Sequence, residues 1–541
     1  MGAYLNSQTP YTLYQSESRS PYFVDKTMLL QELFPYVAAG NRHLCVTRPR
    51  RFGKTIAANM ISSFFQKGID SGELFDRLKI SEADDCQKYK NKYNVIRIDF
   101  SKMPRNCESY RQYIERVEEL LISDLREAYP DAKTSETDAI GDILEEIFQQ
   151  YHGEKFIFVL DEWDFIFHRG FITEADKAKY VAFLSNLLKD RPYVILSYMT
   201  GILPIAKYSS GSELNMFAEV TMVNSPMFGT YFGFTDDEVD DLYERYCREC
   251  EKQRKIKNVT RKGLRDWYNG YYTKSGERVY NPRSVVFALQ FNNLANYWTS
   301  SGPYDEIYYY IRNNVSDVRD DLALMAAGES VSAKIQEYAA TSMNLSTRDE
   351  IYSAMVVYGF LSYLNGKVSI PNRELMEKFD ELLMKNESLG YVYRLAKESE
   401  KMLKATLAGD THTMEKILEL VHDTEVPLLS YNHETELSAI VNLVYLAARD
   451  SYRVEREDKA GVGYVDFIFY PYDLTADGII LELKVDHTPE EAIQQIKDRK
   501  YALKFVPRLA EQKKYTGKIL AVGIGYEKTE KKHRCRVESL N

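Results

Sequence analysis

The chain has 541 residues, 44% hydrophobic and 28% charged, the balance of a folded chain rather than a disordered one. Its 80 acidic and 70 basic side chains give a formal net charge of −10, which argues against a surface that grips nucleic acid over its whole extent. At about 150 residues per domain the length implies three or four domains, and the 42 tyrosines suit half-wet surfaces between domains or against ligands.

Met1–Tyr11 has no basic stretch followed by an apolar run, so no secretory signal is expected. Asn6 stands where a myristoylation signal needs Ser or Thr. The longest apolar runs, such as Phe156–Leu160 and Ala439–Ala448, fall far short of a ~20-residue bilayer span. A cytoplasmic protein without a membrane partner is the expectation.

Residues 1–240 alternate strand and helix patterns. Tyr22–Phe34 reads as a lead-in and helix, His43–Val46 as a short strand and Ile56–Phe65 as a helix. Asn94–Asp99, Lys155–Asp161 and Tyr193–Thr200 are near-continuous apolar runs, the mark of strands buried on both faces of a parallel sheet. A doubly wound α/β domain follows from that order. Residues 241–425 read as a mostly helical middle or lid region, interrupted by the Gly/Tyr-rich Trp267–Pro282. Cys247 and Cys250 lack a second ligand pair and read as ordinary helix residues. Residues 426–541 form a small α/β unit. Its elements are helix-like Glu434–Arg449, strands Tyr464–Tyr470 and Ile479–Val485 across a turn, helix Pro489–Lys500 and strand Lys518–Ile524.

Two constellations carry chemistry. Arg48-Pro49-Arg50-Arg51-Phe52-Gly53-Lys54-Thr55 lies between a strand and a helix, the context of a phosphate-binding loop. Gly53 admits close backbone approach, Lys54 reaches the β/γ-phosphates, and the Thr55 hydroxyl can ligate Mg²⁺. Arg48 replaces the usual first glycine, and Arg48, Arg50 and Arg51 are expected to add positive charge there. The strand ending in Asp161-Glu162 supplies a water-mediated Mg²⁺ ligand in Asp161 and an acid to polarise the attacking water in Glu162. Thr200, at the end of the next strand, is placed to sense the γ-phosphate. No residue is identifiable as an arginine finger.

The second constellation joins Asp466 to Glu482 and Lys484. In a strand, Glu482 and Lys484 share one face. Asp466 on the partner strand can face them, and two carboxylates plus the Leu483 carbonyl suit Mg²⁺ or Mn²⁺. Gln495 on the following helix is placed to face the pocket, and Glu434 is a further candidate metal ligand, with Glu436 its competitor. Gly461 and Gly463 leave room for backbone approach. Residues 487–541 hold 13 Lys and Arg against 7 Asp and Glu, a local net of +6 that suits a phosphate backbone.

Together these motifs resemble a bacterial family that pairs an AAA-ATPase-like domain with a C-terminal PD-(D/E)XK nuclease domain. The resemblance rests on Tyr22-Phe-Val-Asp-Lys-Thr27, the 48–55 loop, Leu160-Asp-Glu-Trp-Asp164, Thr200-Gly-Ile-Leu203 and Phe232-Gly-Phe-Thr235. It continues through Trp267-Tyr-Asn-Gly-Tyr271, Tyr280-Asn-Pro282, Gly461-Val-Gly-Tyr-Val-Asp466, Leu481-Glu-Leu-Lys484 and Gln495. It implies an ATP site at Lys54, Thr55, Asp161 and Glu162, with Asp25 and Lys26 near the nucleotide. It also implies a nuclease site at Asp466, Glu482 and Lys484 with Glu434 as accessory acid, and a homo-oligomer. The missing loop glycine is then a family trait. The functional expectation is an ATP-hydrolysing, metal-dependent nuclease acting on DNA and gated by the ATPase. The alternatives are a nucleotide-dependent nucleic-acid-binding switch without cleavage, and a scaffold with vestigial motifs.

Overall fold

Runs of β-branched and aromatic residues build the first sheet in the computed structural model, which describes residues 2–135, 137–205, 213–298, 315–335, 345, 347–420, 434–460, 463–504 and 515–540. Strands β1 (Arg42–Thr47), β2 (Asn94–Asp99), β3 (Phe156–Asp161), β4 (Val194–Gly201) and β5 (Ala218–Val220) lie in the order β2-β3-β4-β1-β5, every pair parallel. Helices α1 (Lys54–Phe65), α2 (Tyr110–Ala128), α3 (Ile140–Gln150) and α4 (Glu174–Leu188) connect them.

Alternation along β3 shows why its run is wholly apolar. Phe156, Phe158 and Leu160 join one core with residues of α2, α3 and α4. Ile157 and Val159 join a second core with Leu44, Val46, Leu196 and α1. Both faces are covered, so every position of the strand is buried. Helix α4 starts on a capping box in which Thr173 and Asp176 exchange bonds with each other's backbone.

Two elements of this region differ from the sequence expectation. The helix Gln8–Ser18 carries few apolar residues and buries only Pro10 and Tyr14, so its periodicity is faint. Strand β5 has three residues at the sheet edge, too short to stand out.

The region between the two sheets is mostly helical, including Asp236–Gln253, Pro282–Phe291, Val315–Ala326, Arg348–Tyr358 and Ser399–Ala408. Contacts divide the chain into two units. One comprises 1–302, 333–345 and 349–374, and the other 303–332, 346–348 and 375–541. The middle helices are thus shared out between the units.

In the second unit, β6 (Tyr452–Ala460), β7 (Gly463–Pro471), β8 (Gly478–Val485), β9 (Ile519–Glu527) and β10 (Lys532–Leu540) form a sheet in sequential order. Only the β8–β9 pair is parallel. A parallel pair needs a crossover, and α6 (Pro489–Asp498) lies between the two strands in sequence. Ile493 and Ile496 of α6 pack into a core with Val465, Ile468, Ile480 and Ala521. A further helix, α5 (Glu434–Val444), precedes the sheet. β6 and β10 were not expected, because both are edge strands rich in charged residues. Among the described residues no helix is long and apolar enough to cross a membrane.

A buried carboxylate ties the first unit together beyond its sheet. Glu374 is fully buried, and its Oε1 accepts from the Ser284 hydroxyl (2.9 Å) and from the N–H groups of Tyr297 and Trp298 (2.7 Å each). Its Oε2 has no hydrogen-bond partner. Burial pushes the Glu374 carboxyl up to about 7, against the pull of its hydrogen bonds and of Arg51.

The folded state therefore holds this proton more tightly than the unfolded chain. The associated stability is present below the ordinary glutamate range and is lost as pH rises through about 7, with a ceiling of about 3 kcal/mol. Glu374→Gln keeps a carbonyl acceptor but does not titrate. Melting temperatures taken across pH 4–9 should show wild type losing stability relative to this variant between about pH 5 and 8. A constant difference across the range would remove Glu374 as the titrating group.

Candidate active sites

The phosphate-loop segment follows β1 and runs into α1. Gly53 caps α1 with φ +90°, in the left-handed region. A Cβ built there meets nothing within 4 Å, so the backbone angle and not crowding calls for glycine. Lys54 is nearly buried, and its Nζ donates to the carbonyls of Arg48 (2.9 Å) and Pro49 (3.0 Å). Burial lowers its pKa, while Glu162, Asp164 and Asp161 pull it back up. Thr55 is exposed in the first turn of α1.

The three arginines have three different fates. Arg48 does not add charge for a phosphate. Its buried guanidinium donates to the carbonyls of Thr47 (2.8 Å), Val220 (2.7 Å) and Met227 (3.4 Å), and lies 5.1 Å from the Phe232 ring centre. The side chain that replaces a glycine is absorbed into the interior, where unpaired carbonyls need donors. Arg51, at φ +70°, donates to the carbonyls of Tyr297 (2.9 Å) and Trp298. Arg50 lines the cavities described below. Phe52 is buried edge-on to Tyr271, at 5.0 Å between ring centres, and also borders the larger cavity.

Asp161 and Glu162 end β3, and their roles separate. Asp161 is fully buried and forms an ion pair with Arg97 of β2 (2.8 Å). Its other oxygen accepts from the Thr200 hydroxyl (3.2 Å) and the Glu162 N–H (3.1 Å). Thr200 is itself buried and lines neither cavity, so it braces Asp161 rather than sensing a phosphate. Glu162 adopts φ +53° and is partly exposed. Burial, joined by Asp164, Asp161 and Asp99, raises its pKa against the pull of Lys54. Asp164 accepts from the N–H groups of Ile202 (3.0 Å) and Leu203 (2.8 Å), which fixes the chain leaving β4.

Two cavities meet at this edge. The larger, about 650 Å³, runs from the loop to an aromatic wall that includes Tyr22, Phe23, Phe234 and Phe287. Its size and mixed lining suit a nucleotide, with the base on the rings and the phosphates on residues 50–57. Lys26 borders it, ion-paired to Glu238 at 2.6 Å. Asp25 instead accepts from the N–H groups of Thr27 (2.9 Å) and Lys79 (2.7 Å). The smaller cavity, about 380 Å³, holds Asp99, Asp164, His168 and Arg169. Arg50, Thr55 and Glu162 border both. The exposed Thr55 hydroxyl and the Glu162 carboxylate share these walls and are oxygen donors of the kind Mg²⁺ takes, whereas Asp161, expected as a metal ligand, is bonded inside the protein and lines neither cavity.

In the second unit, the register Phe467–Leu481 of β7 and β8 sets Asp466 beside Glu482. Asp466 accepts from the Leu483 N–H (2.7 Å). Lys484 (3.2 Å) and Gln495 of α6 both donate to Glu482 Oε1. Burial and the neighbouring Asp466 raise the Glu482 carboxyl to about 7, while Lys484 and Arg499 oppose the shift. Glu482 Oε2 is buried with no hydrogen-bond partner. An orphaned acceptor beside a second carboxylate fits a divalent cation. Among the described residues no group of three or more His, Cys, Asp and Glu forms a larger cluster. Glu434 opens α5, but its side chain and that of Glu436 lie outside the described residues, as does Gly461.

Sequence reasoning missed Arg97, Asp164, Arg169 and Arg499. A lone arginine inside the apolar run Asn94–Asp99 was a signal for a buried partner. Arg499 lies four residues after Gln495, the spacing of one helix face. The basic C-terminal stretch is partly neutralised by Lys497–Glu538, Lys528–Asp486 and Arg536–Glu490 ion pairs.

Residues 14–210 match the family described as "Predicted AAA-ATPase", and residues 435–532 match the PD-(D/E)XK nuclease superfamily. An uncharacterized protein from the vnfD 5′ region of Azotobacter chroococcum mcd 1 is 23% identical over 290 residues, covering 52% of this chain and 51% of that protein. The chain thus spans about half the length of this curated relative. Among solved structures, a Walker-type ATPase of Pyrococcus abyssi matches with TM-score 0.34 and 11% identity, over 65% of this chain and 94% of that one. The ORC2 protein of Aeropyrum pernix, in ADPNP–ADP complexes, matches with TM-score 0.32 and 11% identity, over 66% and 92%.

The different placements of Arg48 and Lys54 separate by mutation. Arg48→Met strands three carbonyls and should cost about 3 kcal/mol of stability. Affinity for a non-hydrolysable ATP analogue should stay within about threefold, under 1 kcal/mol. Lys54→Ala should weaken the analogue at least ~10-fold, about 1.4 kcal/mol. Thermal melts and analogue titrations read both, and the reverse pattern would return Arg48 to the phosphates.

Proposed function

We propose that this chain, which joins an AAA-ATPase-like domain to a PD-(D/E)XK nuclease-superfamily domain, hydrolyses ATP and uses that cycle to control metal-dependent cleavage of DNA. The observation that carries the reading is that both acid-and-lysine clusters are assembled in one polypeptide. Lys54 and Glu162 border the nucleotide-sized cavity, and Asp466, Glu482, Lys484 and Gln495 converge on one strand end.

On this reading the aromatic wall holds the base, and Lys54 leaves its loop carbonyls to meet the phosphates. Glu162, its carboxyl raised by burial, takes the proton of the attacking water. Asp161 is held by Arg97 and Thr200, and so fixes where Glu162 stands. In the second unit, Mg²⁺ or Mn²⁺ held by Asp466 and Glu482 would supply Lewis acidity and an activated water. Lys484 holds Glu482 in place and offers positive charge to the cleaved phosphate. The net +6 of residues 487–541 supports a nucleic-acid substrate.

Gating is supported by one local tie. Arg51 and the Arg50 carbonyl both bond the Tyr297–Trp298 segment, after which the chain enters residues 303–332 of the second unit. A change at the loop on nucleotide binding would be passed to that segment.

Incubation of DNA with the full chain, Mg²⁺ or Mn²⁺, and ATP or its absence tests the whole reading. Glu162→Gln should lower ATP turnover ~10²–10⁴-fold while still binding nucleotide. Asp466→Ala and Lys484→Ala should abolish cleavage and leave ATP turnover intact. Cleavage that persists in both variants would sink the nuclease assignment. DNA binding without cleavage under either metal would favour the binding switch.

A further inference from the structure

The smaller cavity adds something the motif reading did not supply. It begins where the nucleotide cavity ends, since Arg50, Thr55 and Glu162 belong to both walls. A triphosphate seated on residues 50–57 therefore presents its γ-phosphoryl group, and the water that attacks it, to this chamber. Charge develops there in the transition state and calls for a cation.

Three basic side chains line the chamber: Arg50, His168 and Arg169. Arg50 belongs to the phosphate loop, and its backbone carbonyl is bonded by Trp298. His168 stands 3.9 Å from the buried Asp164 carboxylate. Arg169 differs from both. Among the described residues its side chain has no ion pair or hydrogen bond, and its Nε is shielded from water without a partner. Its guanidinium instead lies 3.8 Å from the centre of the Phe165 ring. Stacking of this kind holds a guanidinium flat while leaving its N–H edge available. The side chain reaches the chamber because Phe165–His168 is a short 3₁₀ turn that starts three residues after Glu162. The backbone on either side is pinned, Arg169 N–H to the Ile166 carbonyl and Ile172 N–H to the Arg169 carbonyl, both at 3.1 Å.

We propose that Arg169 is the catalytic arginine of ATP hydrolysis, supplied by the same chain that binds the nucleotide. The proposal rests on the ATPase reading above. As the water oxygen bonds to the γ-phosphorus, the bridging O–P bond breaks and its electron pair leaves on the β-phosphate of ADP. The water proton passes to Glu162. Arg169 donates to the γ-phosphoryl oxygens as negative charge shifts, and no neighbouring subunit is needed to complete the site.

The test uses the full chain with MgATP. Arg169→Ala should lower kcat ~10²-fold or more, in line with the ~10³–10⁵ such arginines contribute, with affinity for a non-hydrolysable analogue within about threefold. Arg169→Lys keeps the charge and the apolar stem over Phe165, and so serves if the alanine variant fails to fold. It should lose at least ~10-fold in kcat, because an ammonium lacks the planar fork. Turnover per chain should not change on dilution, and mixing Arg169→Ala with Glu162→Gln should restore nothing.

Wild-type kcat in both Arg169 variants would overturn the assignment while leaving the ATPase reading intact. Restored turnover in the mixture would overturn supply within one chain. A wild-type chain that binds the analogue but turns over no ATP would overturn the ATPase reading itself, and this proposal with it.

Discussion

The carboxylate of Asp161 is fully buried, and the first active-site edge is organised around it. One oxygen takes Arg97 from β2, and the other takes the Thr200 hydroxyl from β4 and the N–H of Glu162. Three adjacent strand ends are thereby locked to one group. A buried ion pair is tolerated only when its remaining lone pairs are satisfied, and losing one partner costs about 3–5 kcal/mol. That network holds Glu162 at φ +53°, a backbone state that costs about 1–3 kcal/mol and survives only where its surroundings over-determine it. The same edge needs Gly201, since a Cβ there would come within 2.4 Å of Asp164 and Trp163. Asp164 can then reach the N–H groups of Ile202 and Leu203 and close the far side of the smaller cavity.

The second cluster reaches a similar electrostatic state by other means. Burial, joined by the second carboxylate Asp466, raises the Glu482 carboxyl to about 7. Lys484 and Gln495 hold only one of its oxygens. The other is left buried and bare, at a cost that a bound cation would remove. In the first cluster both oxygens of Asp161 are bonded inside the protein, and the acid facing the cavity is its neighbour. In the second, the free lone pair belongs to the central acid itself. On the proposed reading, the first arrangement suits a general base and the second a metal.

The strands of both sheets that read from sequence are those whose burial on both faces makes them wholly apolar. β3 is the clearest, because each residue from Phe156 to Leu160 enters one core or the other. β5, β6 and β10 were not legible, since a short or charged edge strand lacks that pattern. Motif spacing brought Lys54 and Glu162 to one cavity, and Asp466, Glu482, Lys484 and Gln495 to one strand end. It could not say which way a side chain turns. Arg48 and Thr200 sit beside the expected site yet serve the interior, because unpaired carbonyls and a buried carboxylate competed for them. Arg97 and Arg169 were missed for the complementary reason. Their relevance comes from residues 64 and 114 positions away, Asp161 and Thr55.

The arginine in place of the first loop glycine ties the loop to its surroundings. A glycine there would let the backbone turn freely and would leave the carbonyls of Val220 and Met227 without this donor. Arg48 reaches both, and so fastens the loop to the end of β5 and the chain beyond it. Arg51 fastens the other side to Tyr297 and Trp298, which Glu374 holds by their N–H groups. A loop anchored at both shoulders loses little freedom when a phosphate arrives, so less binding energy goes into ordering it. On the proposed gating, the same anchoring would pass a movement of the loop to the Tyr297–Trp298 segment. The departure from the usual motif thus replaces a freely turning glycine with a side-chain anchor.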